Sequence, residues 1–204
     1  MKVKIERLPG TKPYSRVKSF CLHPHFPIIA TSICEVKYYI RLLPYTLQKK
    51  PEHLEIDRSE NSLGATSERQ YEGSFQIGPA VFEKRSEMTK KLQWSANGFQ
   101  LFQITSKGVK ILNLSSKSSL GQEEFGLTNS DYAEDSSEII AFASSSQDTY
   151  MYYATLDSKL VKYSLMQRTR VVKNLDSKTL AMCADPLDKH LVLLSLGKFN
   201  LNDF

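Results

Sequence analysis

From Leu92 to Leu114 the chain reads LQWSANGFQLFQITSKGVKILNL. Leu92 and Trp94 alternate with Lys91, Gln93 and Ser95, the period of two that a half-buried strand requires. Asn97-Gly98 follows. This is the strongest short hairpin signal, because both central positions of a type I′ turn need positive φ. Leu101, Gln103 and Thr105 predict a second strand, with Phe99, Phe102 and Ile104 supplying bulk. Ser106-Lys107-Gly108 predicts a second turn, and Val109, Ile111 and Leu112 a third strand ending at Asn113-Leu114.

The same unit recurs along the chain. In FCLHPHFPIIATSICEVKYYIRLLPY, Leu22-His23-Pro24 stands where Trp94-Ser95-Ala96 stands, with strands over Ile28–Ser32 and Tyr39–Leu43. A third copy runs from Ile139 to Leu165, with strands at Tyr150–Thr155 and Leu160–Leu165. A fourth, LAMCADPLDKHLVLLSLGKFNL, begins at Leu180, and Ala184-Asp185-Pro186 takes the place of Leu22-His23-Pro24. Anchors at Leu22, Trp94, Phe142 and Ala184 are 72, 48 and 42 residues apart. The last two intervals match a period of roughly 40–45 residues, one four-stranded propeller blade. The first is a blade plus an insertion, assigned to 47–74 as a mobile loop because of the polar run EIDRSENSLGATSERQYEG. Phe75–Phe82 is expected to be an outer or entry strand of the next blade.

These strand–turn–strand–turn–strand skeletons resemble the WD40-repeat family over about two thirds of the chain. The resemblance implies an all-β fold: a WD40-like β-propeller of about four blades of antiparallel strands, one unit over 1–204, forming a partial ring. The family's Gly-His pair and closing Trp-Asp are not intact. Leu42-Leu43, Leu112-Asn113 and Tyr163-Ser164 stand at the Trp-Asp positions. Without the His–Asp network, the blades are expected to cohere by apolar packing between faces. Three arrangements fit so few blades: a piece of a longer propeller, a ring completed by a partner or second copy, or a small open solenoid of sheets. Lys2–Leu8, returning as an outer strand, is a further way to close part of the ring.

Composition narrows the class. Hydrophobic residues at 41% and charged residues at 24% describe a globular chain rather than a disordered one. Three cysteines, an odd number without CxxC spacing, disfavour a disulfide framework and point to a reducing compartment. The charged, alternating N-terminus lacks the apolar core of a signal peptide, and no stretch approaches a membrane span. The expected location is therefore intracellular, cytoplasmic or nuclear.

No G-x-S-x-G, phosphate-cradling Gly-rich loop or H-E-x-x-H occurs, and the nine glycines are not clustered. His23 and His25 share a turn and could share a metal, but the plainer reading is a His-Pro blade turn, so no metal or cofactor is expected. GLTNSDYAEDSSE, 126–138, reads as an acidic inter-blade linker without EF-hand spacing. The expected function is a non-catalytic protein-interaction scaffold, a WD-repeat-like subunit of a larger complex whose partners are other proteins. His23, His25 and Phe26 at the rim, and Asp131, Glu134 and Asp135 in the acidic stretch, are the candidate contacts. The alternative is an RNA- or chromatin-associated subunit that uses the net charge of +5. For it, Tyr150, Tyr152, Tyr153 and Tyr163 beside Lys159, Lys162, Arg168 and Arg170 could stack on bases; the plainer reading is that these tyrosines are core.

Overall fold

The computed structural model describes residues 15–49, 73–119, 122–185, 187–188 and 192–197. These residues form antiparallel sheets stacked as successive blades, with no helix among them. In the first blade, β1 (Arg16–Leu22), β2 (Ile28–Cys34) and β3 (Tyr38–Lys49) lie side by side. The outer strand is split into β4 (Gly73–Ile77) and β5 (Phe82–Ser86), both paired to β3. The split has a local cause. Pro44 in β3 has no N–H to offer the ladder, so the chain bulges between Ile77 and Phe82 and is pinned by Gly78 N–H to Pro44 O (2.8 Å) and Val81 N–H to Leu42 O (2.9 Å).

The second blade is β6 (Lys91–Trp94), β7 (Gln100–Ile104), β8 (Gly108–Ser119) and β9 (Gln122–Glu134). The third is β10 (Ile139–Ser144), β11 (Tyr150–Thr155), β12 (Lys159–Ser164) and β13 (Arg170–Asn174). Among the described residues the fourth has two strands, β14 (Lys178–Ala184) and β15 (Val192–Gly197). First strands of neighbouring blades meet, β1 against β6 and β10 against β14.

Three expectations change here. The 126–138 stretch is not a linker: as far as Glu134 it is the outer strand of the second blade, paired with β8 over its whole length. Of 47–74, Gln48 and Lys49 pair with Ser74 and Gly73 as strand, Leu47 pairs with Phe75, and 50–72 lies outside the described residues. Phe75–Ile77 and Phe82 belong to the outer strand of the first blade, not the next. Lys2–Leu8 and the third strand expected at Phe199–Leu201 lie outside the described residues.

The core sits in the seams between blades. Ile28, Ile40 and Leu42 of blade one meet Leu92, Trp94, Leu101 and Leu112 of blade two. On the other face of blade two, Phe102, Ile104 and Val109 meet Phe142, Met151, Tyr153 and Tyr163 of blade three. Leu101 and Phe102 are adjacent, point to opposite faces and are both fully buried. A sheet covered on both sides needs apolar residues at successive positions, which is why QLFQI breaks the simple alternation. Each such side chain removed from water contributes about 1.5–3 kcal/mol.

Candidate functional site

The turn between the first two strands is built alike in every blade, from different residues. Ser95 Oγ accepts the Gln100 N–H (3.0 Å). Ser145 Oγ accepts the Thr149 and Tyr150 N–H groups (3.1 Å each). Asp185 Oδ1 accepts Leu187 N–H (2.7 Å) and Asp188 N–H (3.0 Å). In blade one His23 Nδ1 accepts His25 N–H (3.0 Å) and Phe26 N–H (2.9 Å). The repeat therefore keeps a hydrogen-bond acceptor at this position, not a residue type.

His23 does more than hold its own turn. Amide N–H groups can only donate, so Nδ1 is unprotonated and the proton sits on Nε2, which donates to Gly98 O in blade two (3.0 Å). The ring is 4% exposed, with Trp94 at 4.6 Å and Phe26 at 5.0 Å between centroids. Burial pushes its pKa below the ordinary 6.5, opposed by the Gly98 bond and helped by the nearby His25. With both nitrogens engaged, His23 has none left for a metal.

Blade three grips the same turn from the other side. Asp148 Oδ1 accepts Ala96 N–H (2.8 Å) and Oδ2 accepts Asn97 N–H (2.7 Å). The Ala96–Gly98 turn is thus clamped between His23 and Asp148. Apolar packing is not the only cohesion between blades, contrary to expectation.

Further out, the seam between blades two and three is tied by the acidic stretch. Tyr163 O–H donates to Asp131 Oδ2, and Tyr153 O–H to Asp135 Oδ2 (3.3 Å). Arg168 and Arg170 stand 3.8 and 3.9 Å from those two carboxylates. Burial first, and then the aspartates beside them, raise both phenols to about 12. A β-bulge aims the carboxylates. Ile111 pairs with Asp131 and Leu112 with Asn129, so Ser130 is the extra residue. Leu127 and Asn129 share the face of Leu112 toward blade one; past the bulge Asp131 and Ala133 share the face of Ile111 toward blade three.

The expected contact residues are dispersed by this geometry. His23 is buried in a seam, and Phe26 is half-buried, 5.7 Å from the Phe125 ring. Asp131 and Asp135 face blade three. His25 and Glu134 are exposed, and the Glu134 carbonyl accepts an Arg170 N–H (3.3 Å). Tyr152, Tyr153 and Tyr163 are buried, and Arg168 and Arg170 lie beside aspartates, so this group is not a free stacking platform. Ser95, Ser145, Asp185 and Asp148 are the structural polar residues the repeat pattern did not single out. Among the described residues no group of three or more His, Cys, Asp or Glu side chains could hold a metal ion.

Tyr163→Phe is expected to lower stability by about 1–2 kcal/mol in urea unfolding, since it removes a hydrogen bond to a carboxylate in a largely buried seam. No measurable change would mean that water serves Asp131 equally well.

No protein-family model and no curated protein matches this chain. Among solved structures, the chain is similar to the β-propeller domain of Cps50 (Swd1) from Myceliophteria thermophila, with a TM-score of 0.64 at 9% identity. The match covers 89% of this chain and 50% of that one, so this chain spans half the length of the structure it resembles. At that identity the likeness carries the fold alone, and the fold is that of part of a β-propeller.

Proposed function

We propose that this chain is a non-catalytic interaction scaffold, a WD-repeat-like subunit of a larger intracellular complex in which another protein packs on its outer blade faces. One observation carries the reading. Ser19 and Cys21 of β1 face blade two: Ser19 Oγ accepts Leu92 N–H (2.9 Å), and Cys21 packs in that seam. Phe20 and Leu22 therefore point the other way, and with Val17 they are 61%, 53% and 45% exposed. The bulge between Val17 and Ser19 sets all three on the face of Ile33 and Ile29, which are themselves buried, so the exposed apolar row is that of β1. Leu180 in β14, toward the other end of the stack, is 59% exposed. In a propeller such faces pack on neighbouring sheets, and apolar rows of this kind mark interaction surfaces. The apolar chemistry favours a protein partner over a polyanion.

Light scattering on the isolated chain is expected to give a mass above that of the 23.2 kDa monomer. The double variant Phe20→Ser, Leu22→Ser is expected to shift it toward the monomer. A parent chain that is monomeric at high concentration, with one sharp thermal transition, would overturn the reading.

A further inference from the structure

A second recognition surface lies away from these end faces, on the rim at the seam of blades two and three. There the clamped turn, the middle of β8 and the turn after β12 enclose an open groove of about 400 Å³. Its walls are apolar and unusually exposed for their type: Phe99 is 66% and Met166 82% exposed. Side-chain amides line it as well, Asn97, Gln100 and Asn113, and Gln100 Nε2 donates to Asn113 Oδ1 (3.3 Å). Among the described residues Asp148 is the only charged one in the lining.

Asp148 is held at φ 50°, in the left-handed region that side chains other than Gly rarely occupy. Its two amide bonds fix the carboxylate in place and use one acceptor site on each oxygen. A carboxylate offers about four such sites, so acceptor capacity remains. Among the described residues no Lys or Arg makes an ion pair with it. A chain of net charge +5 thus carries here a fixed negative charge, with no ion-pair partner among the described residues, in a groove also lined by Phe99 and Met166. Aromatic and Met side chains are enriched where proteins bind proteins, and amides suit the polar groups of a peptide backbone.

We infer that this groove binds a short extended peptide segment of a partner protein, placing a Lys or Arg side chain on Asp148 between apolar residues that pack on Phe99 and Met166. A nucleic acid would set phosphates against the carboxylate. The inference extends the scaffold reading to a named surface, but it rests on different residues.

The test uses fluorescence anisotropy on the full chain with three labelled hexapeptides that differ at one position: Ala-Leu-Arg-Leu-Ala-Gly and its Gln and Glu counterparts. The Arg peptide is expected to bind about fivefold or more tighter than the Gln peptide, and the Glu peptide weakest. Asp148→Asn should bring the Arg and Gln peptides level. That variant also touches the clamped turn, so Met166→Lys serves as the second. It sets a cation in the groove at an exposed site, and should abolish the Arg preference with an unchanged melting temperature. Phe99→Ser should weaken the Arg and Gln peptides alike. Equal binding of all three peptides to the parent, or none at about 1 mM, overturns the groove. Either result leaves the light-scattering outcome, and the scaffold reading, standing.

Discussion

Replacing Gly98 by alanine is expected to destabilise the chain by about 3 kcal/mol. Gly98 has φ 76°, where a Cβ costs about 1–2 kcal/mol. That Cβ would also stand 2.6 Å from His23 Nε2, closer still to Cε1, and 3.2 Å from Pro24 Cγ. The ring cannot step aside cheaply, because three hydrogen bonds and the Trp94 contact hold it. Overpacking of this kind costs about 1–3 kcal/mol more. For a chain of this size, 3 kcal/mol corresponds to a fall of roughly 6–12 °C in melting temperature. A G98A chain melting within a degree or two of the parent would mean that the two blades do not meet in this way.

The steric part of the penalty belongs to the pair, which a double-mutant cycle can show. In a chain already carrying His23→Ala, the ring that the new Cβ would strike is gone. G98A should then cost little more than its backbone share, so the two losses should be less than additive. Additive losses would mean that the clash is relieved elsewhere.

The repeat was legible because its phase is written in bulky residues. Trp94-Ser95-Ala96 and Leu22-His23-Pro24 align by position, and Asn97-Gly98 marks a hairpin, although only Gly98 takes positive φ, so the turn is not the type I′ turn expected. Less legible was what the polar residues do. His23, Ser95, Ser145 and Asp185 share one task, holding a turn by accepting amide protons, and no residue-level motif joins them. The acidic stretch misled for a different reason. Asp131, Ala133 and Asp135 alternate as a strand should, but their density of charge reads as solvent-exposed chain until a partner surface is known. Two facts distant in sequence were needed: the bulge at Ser130, which turns Asp131 away from blade one, and the arrival of Tyr163 and Arg168 from blade three. The outer strand of blade one was obscured because 50–72 separates β4 from β3. Of the candidate contacts, His25 and Glu134 are exposed, while His23, Asp131 and Asp135 make hydrogen bonds across the seams between blades. The groove on Asp148 needs two turns 51 residues apart in the chain, and neither alone suggests it.

His23→Ala is expected to be the most costly single change at this seam, about 4 kcal/mol. It deletes a buried ring and leaves His25 N–H, Phe26 N–H and Gly98 O to find other partners. The other blades suggest the informative variant. Ser95 and Ser145 hold their turns with a hydroxyl, so His23→Ser should recover the local turn and lose only the bridge to Gly98 and the ring packing. It should therefore melt between the alanine variant and the parent. Acid separates the two roles further. In the folded chain Nδ1 can take a proton only by giving up two amide bonds, and burial already disfavours the charged ring, so the folded pKa lies below the ordinary 6.5. Below that pH the unfolded chain binds the proton more readily than the folded one, and stability falls as pH falls. The contribution is complete above 6.5 and is lost on descending from it. The urea midpoints at neutral and mildly acid pH should differ less for His23→Ser than for the parent. An equal acid slope in the two would assign the titration to another group and leave His23 as a packing residue alone.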